Sequence, residues 1–209
     1  MAKKAQIDLL LVRSGRTEWE EAGRLQGQAD LPLSPTGREV VLANLRHLLA
    51  GDDGADVSVV LTSPDEASQE TGQLLGERIE SKQRPISGLQ AFNLGLWEGL
   101  LEDDLIERYP RAYKQWREDP SSVHPPEGET FVAGEVRVLM ALLKAVEKAT
   151  GTAVAVVVRP MEYGILRALA SGRSTSDVWL LVEDGPAVER LPLQLSTLRE
   201  RIESLKASA

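Results

Sequence analysis

Two arginines, two hydroxyl groups and a glycine occur together in the segment Arg13-Ser14-Gly15-Arg16-Thr17. Guanidinium groups, hydroxyls and a free glycine amide are the groups that hold a phosphate or another small oxyanion. The segment directly follows residues 7–12, an apolar run with the composition of a buried parallel strand. Ligand sites of open α/β sheets lie just outside the carboxyl ends of the strands, so this loop is the first candidate site. A solvated strand-to-helix turn has a similar composition, and residue types alone do not separate the two.

Strand-like and helix-like segments alternate along the chain. One helix is predicted to begin at Ser34 and Pro35, which suit the N-cap and the first helical position, and a long amphipathic helix is predicted over residues 129–149. Alternation at this spacing predicts βαβ units and a mainly parallel sheet, so the fold class is α/β. The predicted strands are residues 7–12, 57–61, 85–89 and 153–158, with residues 178–182 and 188–193 completing the sheet.

Composition limits the function classes. The chain has 209 residues, of which 42% are hydrophobic, and this is enough to bury the core of one domain spanning residues 1–209. It lacks cysteine, which excludes disulfides and thiolate metal sites, and it has no apolar run near the roughly 20 residues that span a membrane. A net charge of -8 argues against general binding of nucleic acid or of anionic membranes. We therefore expect a cytoplasmic protein without a metal or another cofactor.

A longer pattern extends from the first loop. The chain reads Arg13-Ser14-Gly15-Arg16-Thr17-Glu18-Trp19-Glu20, then Gly23-Arg24-Leu25-Gln26-Gly27, then Asp30-Leu31-Pro32-Leu33-Ser34-Pro35-Thr36-Gly37. This resembles the opening of the histidine phosphatase superfamily, the phosphoglycerate-mutase-like proteins, whose signature is Arg-His-Gly-x-Thr-x-x-Asn, Gly-Arg-x-Gln-Gly and Asp-x-Pro-Leu-Ser/Thr-x-x-Gly. Ser14 stands in the place of the nucleophilic histidine. The resemblance covers essentially the whole chain and implies a three-layer α/β/α sandwich.

Three further positions of the family pattern are altered. The loop at Thr62-Ser63-Pro64 is followed by Ala67 where the family has its second phosphate-binding arginine, and a methyl group cannot bind an oxyanion. The next loop carries Ala91 where the family has the glutamate that protonates the leaving group. The second catalytic histidine falls on Pro160 when counted forward from the preceding strand, and on Glu162 when counted back from the following helix. Both alignments remain open, and neither position is a histidine.

The chain has two histidines, His47 and His124. His47 lies within the apolar register of the predicted helix that follows Pro35, where a packed or half-exposed side chain is expected. His124 lies in a proline-flanked loop of the segment 92–130, which the resemblance implies is a cap that covers the pocket and selects the substrate. We expect a surface or lid role for His124 rather than catalysis.

The resemblance implies a reaction in which a neutral imidazole attacks phosphorus while arginines and a second histidine hold the charge on the phosphoryl oxygens. Of the five positions that this chemistry needs, only Arg13 matches. We therefore predict a catalytically degenerate member of the family that retains a pocket for a small phosphorylated or carboxylated ligand. The residues predicted to bind the anion are Arg13, Ser14, Arg16, Thr17, Arg24 and Arg159.

Two alternative hypotheses remain. In one, the pocket is vestigial and the fold is a scaffold that contacts another protein, whose identity the sequence does not indicate. In the other, Ser14 is the nucleophile of a residual phosphomonoester hydrolase, although the chain offers no evident histidine to activate its hydroxyl. A carboxylate such as Glu20 beside Arg13 and Arg16 is expected to be ion-paired and therefore a weak base.

Overall fold

A computed structural model of the chain describes residues 5–49 and 56–208, without the side chains of residues 47–49 and 208. The strands of the described chain form one sheet and are β1 (Gln6–Arg13), β2 (Val57–Thr62), β3 (Gln83–Pro85), β4 (Ala153–Val158) and β5 (Val188–Gln194). The helices of the same ranges are α1 (Glu18–Glu21), α2 (Pro35–Leu49), α3 (Glu66–Arg78), α4 (Glu102–Arg108), α5 (Pro110–Glu118), α6 (Phe131–Lys148), α7 (Pro160–Ser171), α8 (Val178–Asp184) and α9 (Leu195–Ser208).

The strand order places β1 near the middle of the sheet. The order is β3-β2-β4-β1-β5, and the first four of these strands run parallel, whereas β5 pairs antiparallel with β1 at one edge. Leu11 pairs with Val156, and Arg13 pairs with Val158. Since β1 and β4 are parallel neighbours, their carboxyl ends lie side by side, and the loops that follow them meet there. The predicted α/β class and mainly parallel sheet are confirmed.

Both faces of the sheet are buried. Alternate residues of β1 point to opposite faces, so Leu9 and Leu11 pack in one apolar cluster and Leu10 and Val12 in the other. The first cluster includes side chains of α6, α7 and α9, and the second includes side chains of α2 and α3. Every residue of β4 is buried, as its run of valines predicts. None of the helices within the described ranges is long and apolar enough to cross a membrane.

Two strand predictions were wrong. Residues 178–182 belong to α8, with Val178, Leu181 and Val182 buried at helical spacing. A five-residue apolar run does not distinguish a buried strand from a buried helix. In this chain the segment is a helix that packs against α7. The second wrong prediction is the strand over residues 85–89. The observed strand there, β3, ends at Pro85, and a short 3-10 helix, Ser87–Leu89, follows it.

Gly37 allows the first turn of α2 to pack against the loop that follows β1. A Cβ atom at this position would lie 2.2 Å from the carbonyl oxygen of Arg16. We expect Gly37→Ala to lower the free energy of unfolding by about 1 to 3 kcal/mol because the loop must shift, although alanine usually stabilises a helix interior. Urea unfolding measures the change. Glu39→Ala, at an exposed position of α2, is the control and should stay within about 0.5 kcal/mol; equal stability of the two variants would contradict this close packing.

Candidate functional site

A cleft of about 790 Å³ lies beyond the carboxyl ends of β1 and β4. The loop that follows β1 and the first turn of α7 form its inner end. Five arginines and five glutamates are among the described residues that line it. They are Arg13, Arg16, Arg24, Arg117 and Arg159, and Glu20, Glu21, Glu102, Glu162 and Glu183. The cleft therefore carries many charged side chains of both signs on a lining that also includes apolar residues.

Arg159 is buried at the inner end of the cleft, with 3% of its surface exposed. It is the N-cap residue of α7, directly after β4, so its side chain reaches across to the loop that follows β1. One terminal nitrogen donates to the Ser14 hydroxyl at 2.9 Å and to the Gly15 carbonyl oxygen at 3.1 Å. The other donates to Gln26 Oε1 at 3.0 Å and lies 2.6 Å from Glu20 Oε1. Acceptors of the protein itself therefore hold both terminal nitrogens of this guanidinium.

Glu20 supplies the carboxylate of this ion pair. Thr17 is the N-cap of α1, and its backbone N–H donates to Glu20 Oε2 at 3.0 Å in a reciprocal capping box. Glu20 forms an ion pair, as predicted, but its partner is Arg159 rather than Arg13 or Arg16. The Thr17 hydroxyl donates to Gln26 Oε1, so Thr17 supports the loop, and it is not among the described residues that line the cleft.

Arg13 is directed toward a different part of the site. Its guanidinium donates to the carbonyl oxygen of Val182 on α8 and lies 5.7 Å from the centre of the Tyr163 ring. Tyr163 in turn donates to Glu189 Oε1 at 2.8 Å, and burial raises the pKa of this phenol. Arg13 therefore lines the cleft, but a backbone carbonyl already accepts one of its hydrogen bonds.

Arg16 and Arg24 are the exposed arginines at the mouth of the cleft. Arg24 donates to the Gly99 carbonyl oxygen at 2.6 Å. The Arg16 side chain has no hydrogen-bond or ion-pair partner among the residues that the structure describes. Arg16 is thus the cation of this loop that is most readily available to an anion from solvent.

Glu162 is fully buried in the first turn of α7 and also lines the cleft. Its Oε1 accepts from the backbone N–H of Phe92 at 2.8 Å, whereas its Oε2 has no hydrogen-bond partner in the described chain. Burial raises the pKa of this carboxyl to about 8, and the charge of Asp65 contributes, against the opposing effects of backbone donors and Arg137. Glu162 is therefore mostly protonated at neutral pH.

The remaining predicted positions divide between the cleft and the core. Pro160, the first residue of α7, and Ala91 line the cleft. Ala67 is buried in the first turn of α3, where its N–H donates to the Leu31 carbonyl oxygen, and it is not among the described lining residues. The structure therefore brings together most predicted site residues, and Ala67 and Thr17 lie behind the site rather than in it.

The outer wall of the cleft is aromatic. Trp116 on α5 and Trp179 on α8 meet edge to face with ring centres 4.6 Å apart, and Arg117 lies over the Trp179 ring at 4.9 Å. Arg117 also pairs with Glu183. The sequence does not predict this wall, because the apolar run of residues 178–182 also fits a strand of the sheet. Gln26 and the pairing of Glu20 are likewise not predicted, although the capping-box spacing of Thr17 and Glu20 is a signal for the position of Glu20.

No histidine lies among the described residues that line the cleft. His124 is exposed in a loop, and its Nε2 lies 3.0 Å from the Gly128 carbonyl oxygen, in agreement with the predicted surface position. The prediction for the His47 side chain lies outside the described residues. Within those residues, no group of three or more histidine, aspartate or glutamate side chains could hold a metal ion.

The chain belongs to the histidine phosphatase superfamily (branch 1), whose family model matches residues 9–191. It is 33% identical over 147 residues to glucosyl-3-phosphoglycerate phosphatase of Mycobacterium tuberculosis. The aligned region covers 69% of this chain and 64% of that protein. It is 28% identical over 128 residues to phosphoserine phosphatase 1 of Hydrogenobacter thermophilus, and this aligned region covers 61% of this chain and 58% of that protein. The chain thus spans less than two thirds of the length of these curated relatives.

Solved structures agree with the fold. The alpha-ribazole phosphatase of Shigella flexneri superposes with a TM-score of 0.69 at 28% identity, covering 83% of this chain and 84% of that chain. YhfR of Bacillus stearothermophilus superposes with a TM-score of 0.73 at 24% identity, covering 86% and 85% of the two chains. The α/β fold is therefore shared with these structures.

Proposed function

We propose that this chain is a catalytically inactive histidine-phosphatase-family protein that binds a small phosphorylated or carboxylated ligand in its cleft. The observation that carries the proposal is that a buried arginine, hydrogen-bonded to Ser14 and paired with Glu20, fills the inner end of the cleft. The cleft has no histidine among its described lining residues. Phosphohistidine chemistry requires an imidazole as nucleophile, so a guanidinium, which does not lose its proton at neutral pH, cannot replace it.

The proposal includes the replacement of both catalytic histidines, the first by Ser14 and the second by Pro160 or Glu162. A serine hydroxyl needs a base to become a nucleophile. The Ser14 hydroxyl accepts a hydrogen bond from Arg159 and has no carboxylate or imidazole partner among the described residues. The same geometry therefore supports an inactive site over the alternative of a Ser14-dependent hydrolase.

The anion pocket is the part of the family site for which the chain retains suitable groups. Arg16 and Arg24 are exposed at the mouth, and Arg13 lines the interior. Arginine donates two parallel hydrogen bonds to a carboxylate or a phosphate, which suits a small oxyanion. Ala91 adds no negative charge to the cleft, unlike the glutamate that the family pattern has there.

Hydrolysis of p-nitrophenyl phosphate between pH 4 and pH 9 tests the absence of catalysis. We expect the wild-type protein and Ser14→Ala to release p-nitrophenol at the same rate as buffer, because the cleft provides no activated nucleophile. A family phosphatase with both histidines serves as the positive control. Turnover by the wild-type protein that disappears in Ser14→Ala would instead make Ser14 the nucleophile.

Thermal stabilisation by inorganic phosphate tests the binding half of the proposal. We expect phosphate to raise the melting temperature of the wild-type protein, because a ligand that binds only the folded state stabilises it. Arg16→Gln should reduce this shift, whereas Arg46→Gln, which removes an exposed arginine outside the cleft, should leave it unchanged. No shift at any phosphate concentration would leave the protein without the proposed anion pocket.

A scaffold with a vestigial pocket is the second candidate function. It is favoured by the internal acceptors that already hold Arg13 and Arg159, and by three exposed apolar side chains in the segment 92–130. These are Leu96, Ile106 and Tyr109, which expose 59%, 42% and 54% of their surface. We further propose, from the sequence, that the chain is one domain with residues 92–130 as a cap and that it acts in the cytoplasm.

A further inference from the structure

The inner end of the cleft already holds an oxyanion, the carboxylate of Glu20. Its Oε1 lies 2.6 Å from a terminal nitrogen of Arg159, and its Oε2 accepts from the backbone N–H of Thr17 at 3.0 Å. A guanidinium and a backbone amide are the donors that hold a bound phosphate, sulfate or carboxylate. The family signature that the chain resembles has asparagine at this position, whereas this chain has the charged residue Glu20.

The two members of the pair differ in their access to water. Only 4% of the Arg159 side chain is exposed, whereas 17% of the Glu20 side chain is exposed, on a four-residue helix at the surface. Rotation of its side chain can return the carboxylate to solvent, but the guanidinium cannot leave its position beside Ser14 and Gln26 without breaking three further hydrogen bonds. The arginine therefore needs an anion at all times, and the carboxylate is exchangeable.

We propose that Arg159, with Ser14, forms an oxyanion subsite that Glu20 occupies as an internal ligand, and that an external oxyanion binds by displacing Glu20. This inference rests on the proposed function, because it describes how the same cleft takes its anion. The exposed guanidinium of Arg16 lies on the same loop and faces the same cleft, so it attracts the incoming anion. The proposed ligands are small molecules that present a phosphate, sulfate or carboxylate group.

Sulfate is the probe, because its charge does not change between pH 6 and pH 9, and binding is measured by calorimetry at constant ionic strength. Glu20→Gln removes the competing charge and should bind sulfate about 10 to 100 times more tightly than the wild-type protein, the worth of one charge-assisted hydrogen bond. Glu21→Gln is the matched control: it removes the same charge from α1 and the same cleft, but Glu21 accepts from the Ser34 hydroxyl. The affinity of Glu21→Gln for sulfate should stay within about threefold of that of the wild-type protein, because salt screens a charge at the rim of the cleft.

The outcomes separate the two proposals. An equal gain in Glu20→Gln and Glu21→Gln would reduce the effect to general electrostatics and overturn the displacement, while the anion pocket would stand. Absence of sulfate binding in the wild-type protein and in Glu20→Gln alike would overturn the anion pocket itself. Loss of binding in the double variant Glu20→Gln/Arg159→Gln, at a retained fold by circular dichroism, would support Arg159 as the main donor; unchanged affinity in it would contradict the subsite.

Glu20→Ala gives a second readout that does not depend on the amide of glutamine. Without any side chain to pair with Arg159, this variant should be less stable in chloride buffer and should regain most of the lost melting temperature in sulfate. Glu21→Ala should show no such rescue. Failure of sulfate to restore Glu20→Ala beyond its effect on Glu21→Ala would contradict the exchange of one anion for the other.

Discussion

Glu20→Ala is expected to lower the free energy of unfolding by about 3 kcal/mol, more than Arg159→Met does, although the two residues form one ion pair. The alanine variant leaves a guanidinium that is 3% exposed without its carboxylate. In the methionine variant, the flexible side chain fills the volume, and the Glu20 carboxylate can turn to water. We therefore expect a loss of about 1 to 2 kcal/mol in Arg159→Met, from the missing donors to Ser14 and the Gly15 carbonyl.

Urea unfolding of the two single variants and the double variant completes a mutant cycle. The double variant should be more stable than the sum of the single losses predicts, because removal of both charges leaves no uncompensated buried group. Glu18→Ala, an exposed glutamate of the same helix, is the matched control and should change stability by less than about 0.5 kcal/mol. Additive losses, or a larger loss in Arg159→Met than in Glu20→Ala, would be inconsistent with this pair.

Glu162→Gln is expected to make the protein more stable at alkaline pH and to flatten its pH dependence. The pKa of Glu162 is raised by burial to about 8, so the folded state keeps a proton that the unfolded state releases above its ordinary pKa near 4.5. Stability from this group is therefore fully present below about pH 4.5 and is lost as pH rises toward 8, by up to about 1.4 kcal/mol per pH unit. Glutamine has no such proton, and its amide oxygen can still accept from Phe92.

Urea unfolding at pH 5, 7 and 9 measures this effect. At pH 5, Glu162→Gln and the wild-type protein should be about equally stable, and at pH 9 the variant should be more stable by about 4 kcal/mol. Glu66→Gln, an exposed glutamate in the first turn of α3, provides the control for loss of a carboxylate and should leave the slope unchanged. The same fall in stability between pH 5 and pH 9 in both Glu162→Gln and the wild-type protein would show that this carboxyl is not the titrating group.

Sequence reasoning succeeded where local composition determines structure. The valines of β4 form a buried central strand over the predicted residues, and Ser34 caps α2, its hydroxyl accepting from the Gly37 N–H at 2.8 Å. The cleft also lies at the predicted loop. These features depend on burial periodicity and turn chemistry, which a short segment carries by itself.

The partners within the site could not be predicted in the same way. Arg159 was expected to be free for an anion, and its pairing with Glu20 joins residues 139 positions apart in the sequence. Such a contact depends on the juxtaposition of β1 and β4, not on local pattern. The assignment of residues 178–182 failed for a related reason, since the packing of α8 on α7 determines the structure of that short apolar run.

The strand order has a consequence for how the protein is made. β1 is synthesised before the other strands, but its two neighbours in the sheet, β4 and β5, begin at Ala153 and Val188. During translation, β1 therefore has no sheet partner until most of the chain has left the ribosome. Its apolar residues, and the loop that follows them, stay unpaired for that time. Such late, long-range pairing slows folding and exposes an apolar strand to aggregation in the meantime. A nascent chain stalled before Ala153 should accordingly depend on chaperones to protect its first strand.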